Sequence, residues 1–350
     1  MRPSDFAKQA GEWLRGTGSE SDIVISTRIR LARNVAGHAF VHRLEPDEQA
    51  LLTEQLRSHI VEDGVLPEAH YFDLKVAREL ERRLLVERHL ISREHEEAEG
   101  ERGVAVQKNE VISIMINEED HLRMQVLRSG FELEGTWRTI NDIDTKTGEL
   151  VDYAFSERLG YLTACPTNVG TGMRVSVMLH LPALELTKQI EKVFHAVAKI
   201  NLAVRGLYGE GTQASGNFYQ ISNQITLGKG EEDILREVRA TIPQIIVNER
   251  KARDILLSQN RQQLEDRVWR AYGMLRSARV ISSSETMALL SHLRLGVNLG
   301  IVDDIDIVAV NQLFMKTLPA HLQIIEGRDL DPQSRDAARA TFIRKCLGEQ

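Results

Sequence analysis

The residue types able to do chemistry in this 350-residue chain gather in one run, Cys165-Pro166-Thr167-Asn168-Val169-Gly170-Thr171-Gly172-Met173-Arg174. One of only two cysteines stands beside a proline turn. Two glycines follow, able to let backbone approach a ligand, and then an arginine opens an apolar strand. Thiol, glycine loop and guanidinium together suit an anion and a group that a thiolate can touch. Arg28, Arg30, Arg123 and Arg205 also stand at strand starts or in glycine-bearing loops. Brought together, five such arginines need a strongly negative partner, and a triphosphate has that charge. Kept apart, they are surface ion pairs worth about 0–1 kcal/mol each, and spacing alone does not choose between the two. The carboxylates Glu118, Glu119, Asp120 and Glu210 oppose them. Beside a phosphate clamp such acids bind a cation or take up a proton; elsewhere they are solvated surface.

The common alternatives are absent. No Gly-x-x-x-x-Gly-Lys-[Ser/Thr] occurs, which excludes a P-loop, and no His-Arg-Asp or Asp-Phe-Gly occurs, which excludes the common protein-kinase fold. The eleven histidines show no metal-ligand spacing. Two cysteines, Cys165 and Cys346, make neither a disulfide framework nor a thiolate zinc site. With 42% hydrophobic and 27% charged residues the chain reads as globular, one large domain or two of ordinary size. A net charge of −7 opposes nucleic acid and anionic membranes, although arginines outnumber lysines 33 to 11. No apolar run is long enough to span a bilayer, and Met1-Arg2-Pro3-Ser4-Asp5 lacks a secretory signal, so a reducing cytoplasm is the expected setting.

The elements that must position these groups follow from periodicity. Ile23 to Arg30 alternates strictly, so a strand carries Ile23, Ile25, Thr27 and Ile29 on one face and Ser26, Arg28 and Arg30 on the other. Helices are expected near 46–63 and 75–90, and a hairpin from Val104–Gln107 and Val111–Ile116. Next comes a helix from His121 to about Leu127, placing Glu119 and Arg123 on one face. Residues 155–164 and 173–181 read as strands joined by the cysteine–glycine loop, followed by a helix over 183–203 and a strand over 217–224. From about 230 helical periodicity takes over, with segments near 231–258, 261–278, 284–295, 304–316 and 332–347. Asp331-Pro332 caps the last of these.

Five stretches in this order resemble the signatures of the phosphagen (guanidino) kinases: Ser26-Thr27-Arg28-Ile29-Arg30, Asn117 to Arg123, Cys165 to Gly172, Arg174-Val175-Ser176-Val177-Met178, and Arg205-Gly206-Leu207-Tyr208-Gly209-Glu210. The resemblance covers about residues 20–230. It implies an α+β fold: a catalytic domain over 1–250, an antiparallel sheet flanked by helices, then an all-helical domain over 251–350. It implies that these arginines and their motif neighbours hold Mg-ATP, with Mg2+ carried by the nucleotide, and that His89 packs near the adenine. Glu119 and Glu210 would then hold the acceptor guanidinium, Cys165 would touch it as thiolate, and Asp120 would belong to the same catalytic group. Glu119 is the expected base.

Small-guanidine kinases carry a helical domain ahead of the first of these strands; here that strand comes almost at once, and a helical segment follows instead. That layout resembles the bacterial branch of the family that phosphorylates arginine side chains in proteins. Arg335-Asp336-Ala337-Ala338-Arg339-Ala340 is similar to that branch's phosphoarginine-binding sequence, and implies activation by product. The branch further implies protein substrates with exposed arginine, a heat-shock transcriptional repressor among them, an activator of the McsA type, a Clp-family unfoldase and protease downstream, and a homodimer or larger assembly. No nucleic acid or membrane partner is expected. Two other readings stay open: a kinase for a free guanidino compound, and a non-catalytic adaptor for phosphoarginine.

Overall fold

The computed structural model describes residues 2–206 and 215–348. Its organising strand is β1 (Val24–Arg33), where the alternation seen in the sequence becomes two unlike faces. Ile25, Thr27, Ile29 and Leu31 are at most 3% exposed on one of them. β1 pairs antiparallel with β5 (Leu122–Ser129) on one side and β8 (Met173–His180) on the other. β4 (Ile112–Ile116), β3 (Gly103–Gln107) and β2 (Ala69–Asp73) extend the sheet beyond β5. β10 (Phe218–Asn223) and β9 (Leu202–Gly206) extend it beyond β8, giving eight strands in the order β2-β3-β4-β5-β1-β8-β10-β9. A separate hairpin joins β6 (Phe155–Ser156) to β7 (Gly160–Tyr161).

Helices cover the apolar face. α4 (Leu133–Gly148) packs on β1 and β5, and α7 (Glu231–Gln259) on β8 and β10. α1 (Pro46–Arg57) and α2 (Glu79–Glu87) realise the two early helices. The first continues through a π turn to Glu62; the second is shorter than expected. α3 (Arg93–Glu97), α5 (Pro182–Leu186) and α6 (Ile190–Ala198) are short. The C-terminal helices are α8 (Arg261–Ser277), α9 (Ser283–Asn298), α10 (Ile307–Lys316), α11 (Pro319–Glu326) and α12 (Pro332–Cys346). No helix among the described residues is long and apolar enough to cross a membrane.

Several expectations are corrected. The helix expected over 121–127 is replaced by the strand β5, Leu122–Ser129. Leu122, Met124 and Val126 are wholly buried on the core side, and hydrogen-bonded neighbours on both edges decide between two patterns that local propensity leaves close. Glu119 and Arg123 therefore share no helix face. The span 155–164 holds only the two short strands β6 and β7. The helix over 183–203 is broken at Lys188, whose φ is +57°, and gives way to β9. α11 was not anticipated.

The helical segments are docked on the sheet by buried arginines. Arg294 of α9 donates to the carbonyls of Ser21 (2.8 Å) and Asp22 (3.0 Å) and to Asn311 Oδ1 (3.1 Å), and lies 2.9 Å from His180 Nδ1 at the end of β8. At the other side Arg88 forms a bidentate pair with Glu110 and touches His321 Nε2 (3.1 Å). The Glu87 carboxylate accepts the backbone N–H groups of Ala320 (2.7 Å) and His321 (2.9 Å), supplying from α2 the cap that Leu318 cannot give α11. Residue 250 lies inside α7, and one hydrophobic core runs from the sheet into α7–α10 and α12.

Candidate active site

Residues paired directly across antiparallel strands project from the same face of a sheet. Arg30 stands opposite Arg174 on β8 and Gln125 on β5; Arg28 stands opposite Ser176; Arg123 stands opposite Ala32; Arg205 stands opposite Gln220. With Ser26 facing Met178 and Ser222 facing Ser176, one face therefore carries all five arginines with a lining of serines and glutamines. Thr27, Ile29, Val175 and Val177 turn to the other face, and the three aliphatic ones join the core. Their side chains hold the strands flat from behind and do not reach a ligand on the arginine face.

The arginine face is charged against itself. Burial, then the charges of Arg123 and Arg174, hold the Arg28 guanidinium down to about 10. Arg30 is likewise held well below its ordinary value, by burial and then by Arg28, Arg123 and Arg174. Arg28 Nη2 donates to the neutral Gln220 Oε1 at 2.8 Å, and Arg123 pairs with Glu118. Arg30 Nε, Ser176 Oγ and Ser222 Oγ are buried with no hydrogen-bond partner among the described residues. Such orphaned donors beside massed positive charge fit a multiply charged anion. His89 borders the face, its ring edge-on to Trp13 at 4.5 Å and its carbonyl accepting from Gln125 Nε2 at 2.6 Å. Burial, then the charges of Arg28, Arg30 and Arg93, bring it down to about 3, so its imidazole is neutral.

The acidic run links β4 to β5, and its members part company. Burial pushes the Glu118 carboxyl up, but the charge of Arg123 and hydrogen bonds from Ser92 (2.5 Å) and Arg123 outweigh it and hold the group at about 2. Glu119 is exposed, and desolvation followed by the charges of Asp120 and Glu118 raises it above the ordinary carboxylate value. Asp120 is only 2% exposed and accepts Asn34 Nδ2 (2.6 Å) and the Ala164 N–H (2.7 Å). It is turned inward, where it holds Asn34 and the backbone leading into Cys165.

Cys165 is half-buried, with Sγ 3.0 Å from Thr167 Oγ1. Gly172 (φ +63°) crosses the end of β1 so closely that a Cβ would meet the Ala32 carbonyl at 2.6 Å. A Cβ on Gly170 (φ +112°) would meet the Thr226 carbonyl at 2.4 Å. The glycines thus serve close approach to the protein's own backbone, not to a ligand. Arg33 clamps the same loop, donating to the Thr171 carbonyl (2.9 Å) and stacking 3.5 Å over Tyr161, while Asp144 holds its far side. Gly206 ends β9. Leu207, Tyr208, Gly209 and Glu210 lie outside the described residues.

Sequence reasoning missed Gln125, Gln220, Ser222, Ser92 and Arg33. The first would have surfaced had 121–127 been read as a strand, because parity then places Gln125 beside Arg123. In α12, Arg339 is 1% exposed and donates to the carbonyls of Thr317 and Ile281 (both 2.9 Å) and to Asp336 (2.5 Å). Arg335 is half-exposed, as are Asp336, Ala337 and Ala338, and Ala340 is buried. Among the described residues no group of three or more His, Cys, Asp or Glu is placed to hold a metal ion.

A sheet that masses arginines on one face, bordered by carboxylates and a cysteine, defines a phosphotransferase with a guanidino acceptor, and known proteins agree. Residues 52–252 match the model of the ATP:guanido phosphotransferase C-terminal catalytic domain, and residues 261–350 that of the protein-arginine kinase McsB C-terminal domain. The chain is similar to the duplicated taurocyamine kinase of Schistosoma mansoni with bound transition-state-analogue components (29% identity, TM-score 0.59) over 65% of its length, spanning 33% of that chain. A lombricine kinase structure aligns at 25% identity and TM-score 0.58, over 69% of this chain and 70% of that one. Protein-arginine kinases of Halothermothrix orenii (46% identity; 97% of each chain) and Bacillus subtilis (45%; 96% of this chain, 93% of the other) align nearly end to end. The chain belongs to the ATP:guanido phosphotransferase family and, within it, to the protein-arginine kinases.

Proposed function

We propose that the chain transfers the γ-phosphoryl group of Mg-ATP to a terminal guanidino nitrogen of arginine side chains in proteins. The observation that carries this reading is the self-repelling arginine face with the Glu119–Cys165 border beside it, in a chain aligned nearly end to end with protein-arginine kinases. Arg28, Arg30, Arg123, Arg174 and Arg205 take the phosphate oxygens, helped by Ser26, Ser176 and Ser222, with Met178 alongside and the neutral His89 near the base. Mg2+, held through ATP, neutralises charge on the phosphates when bound.

The acceptor guanidinium carries no free lone pair, so it must lose a proton as it attacks. The N–P bond forms, the bond from the γ-phosphorus to its bridging oxygen breaks, and the electron pair leaves with ADP. The proton passes to Glu119, whose raised affinity suits a base, whereas Glu118 is committed to Arg123. Glu210 is the second contact to the guanidinium and Cys165 a third, with the Thr167 hydroxyl 3.0 Å from its sulfur. Positioning and charge neutralisation supply the remaining acceleration.

Residues 251–350 form the phosphoarginine-binding, regulatory part of this reading, with Arg335 as the contact to the phosphoryl group and Arg339 setting the helix. The same reading assigns a cytoplasmic enzyme, assembled as a dimer or larger, with a McsA-type activator. Its substrates include a heat-shock repressor, and its product is recognised by a Clp-family unfoldase and protease. The test is incubation with Mg-ATP and casein. Acid-labile phosphate located on arginine by mass spectrometry is the expected result. Phosphate on free arginine alone would mean a small-guanidine kinase, and no transfer with retained phosphoarginine binding an adaptor.

A further inference from the structure

We propose that two exposed apolar ledges flanking the Cys165–Gly172 loop dock the polypeptide around the acceptor arginine, so that arginines with apolar or aromatic neighbours are preferred. This rests on the protein-arginine kinase reading above and names the substrate class of the same site.

Among the described residues, fifteen large hydrophobic side chains are exposed, and four of them lie on two short segments that grip this one loop: Phe155 (57%), Leu159 (39%), Ile225 (38%) and Leu227 (50%). Single exposed hydrophobes need no explanation; a group around a reactive loop does. On one side Tyr161 and Gly170 exchange backbone hydrogen bonds of 2.8 and 3.3 Å. On the other, Thr226 Oγ1 donates to the carbonyls of Thr167 (2.9 Å) and Val169 (2.7 Å), and the Thr226 carbonyl accepts from Thr171 N–H (3.4 Å). The loop is thus held between the ledges, and Cys165 is fixed relative to both.

The polarity of the second ledge is inverted. Thr226 is 3% exposed and points to the loop, while Ile225 and Leu227 face water. These residues follow the last residue of β10, Asn223, and the backbone there turns the polar side chain to the loop and leaves the two apolar ones outside. On the first ledge the Phe155 ring rests edge-on against Tyr161 at 5.3 Å, and Tyr161 lies under Arg33, so the aromatic is braced in its exposed position. The occupant that suits this arrangement is an extended chain whose arginine enters at Cys165. An extended residue spans about 3.3 Å, so side chains two to four positions away reach past the loop to the ledges. Such segments are buried in folded proteins and exposed in unfolded ones. Free arginine has nothing to place there.

The experiment compares two synthetic peptides, one arginine flanked by leucine and phenylalanine and the same arginine flanked by serine and glycine, on wild-type protein and on Phe155→Ser/Leu227→Ser. Both sites are exposed, so the core is untouched. Wild type should favour the apolar peptide by roughly tenfold in kcat/KM, carried by KM, as expected for a few apolar groups meeting a surface. In the double variant that ratio should fall toward one with the KM for ATP held, and Leu51→Ser, on the surface of α1, should leave it alone. An unchanged ratio in the double variant overturns the proposal, as does an equal preference in wild type. Light scattering covers the rival occupant: conversion of a dimer to a monomer by the double variant would assign the ledges to self-association and likewise overturn it. Failure of either peptide to be phosphorylated while free arginine turns over would instead remove the underlying reading.

Discussion

Arg30 and Arg339 are the same side chain in opposite circumstances. Arg339 spends its donors inside the protein, on two carbonyls and Asp336, and ties α12 to the segments at 281 and 317. Arg30 faces Arg174 across the ladder, crowds Arg28 and Arg123, and keeps a buried Nε with no partner among the described residues. Folding free energy is gained at the first position and given up at the second. Arginines of a binding site are therefore recognised by what the fold withholds from them.

The sharpest way to break this contrast is to remove Arg30. Arg30→Ala should lower kcat/KM by about 10³-fold, the scale of losing one charge-stabilising donor in a transition state. Its urea midpoint should stay or rise, because a like-charge contact disappears. A variant that loses stability along with activity would make Arg30 a structural residue like Arg339.

The reverse experiment has the next largest effect. Arg339→Ala strands the Thr317 and Ile281 carbonyls and unpairs Asp336, and should cost about 2–4 kcal/mol in urea unfolding. The KM for ATP should hardly move. Arg335→Ala, one turn earlier and half-exposed, should leave stability within about 0.5 kcal/mol while lowering activity on folded protein. Equal loss of nucleotide affinity in Arg335→Ala would mean that α12 serves the ATP site instead.

A subtler contrast separates Glu118 from Glu119. Glu118 titrates at about 2 in the folded protein against an ordinary 4.5, so its contribution to stability is complete above about pH 4.5 and is lost as pH falls toward 2. Glu119 is raised, so the folded state binds its proton more tightly; its contribution favours low pH and fades as pH rises through its folded value. Glu118→Gln should flatten the acid fall of the denaturation midpoint, and Glu119→Gln should steepen it slightly. Turnover should need ionised Glu119, placing the acid limb of the rate profile above 4.5, and Glu119→Gln should abolish transfer with ATP binding nearly intact. A rate unchanged in that variant would take Glu119 out of the mechanism.

Much of this was legible in the chain. Strict alternation in β1 placed Ser26, Arg28 and Arg30 on one face, and the helical periodicity after 230 matched α7–α10 and α12 closely. What escaped was decided at a distance. Leu122-Arg123-Met124-Gln125 is built of good helix formers, and only pairing with β1 and β4 makes it a strand. The split at Lys188 needs a left-handed backbone that no glycine announces. Gly170 and Gly172 were rightly seen as sites of close approach, but what approaches is Thr226 and β1 rather than a ligand. Asp120 resembles its acidic neighbours in sequence, but Asn34 and Ala164 claim it from 86 and 44 residues away along the chain.

The finest test concerns Gln220, which reaches Arg28 from β10 without adding charge. A neutral partner orients the guanidinium yet leaves its positive charge for the ligand, whereas a carboxylate there would have to be displaced. Gln220→Ala should raise the KM for ATP by about fivefold, the worth of one ordinary hydrogen bond, with kcat nearly unchanged. Gln220→Glu keeps the length and the contact but pairs Arg28 internally, as Asp336 pairs Arg339, and should raise that KM further. Raising salt should narrow the gap between the two variants, since only the second opposes the nucleotide by charge. Equal KM values at low salt would show that Gln220 merely fills space, and the withheld charge of Arg28 would no longer explain why this face binds.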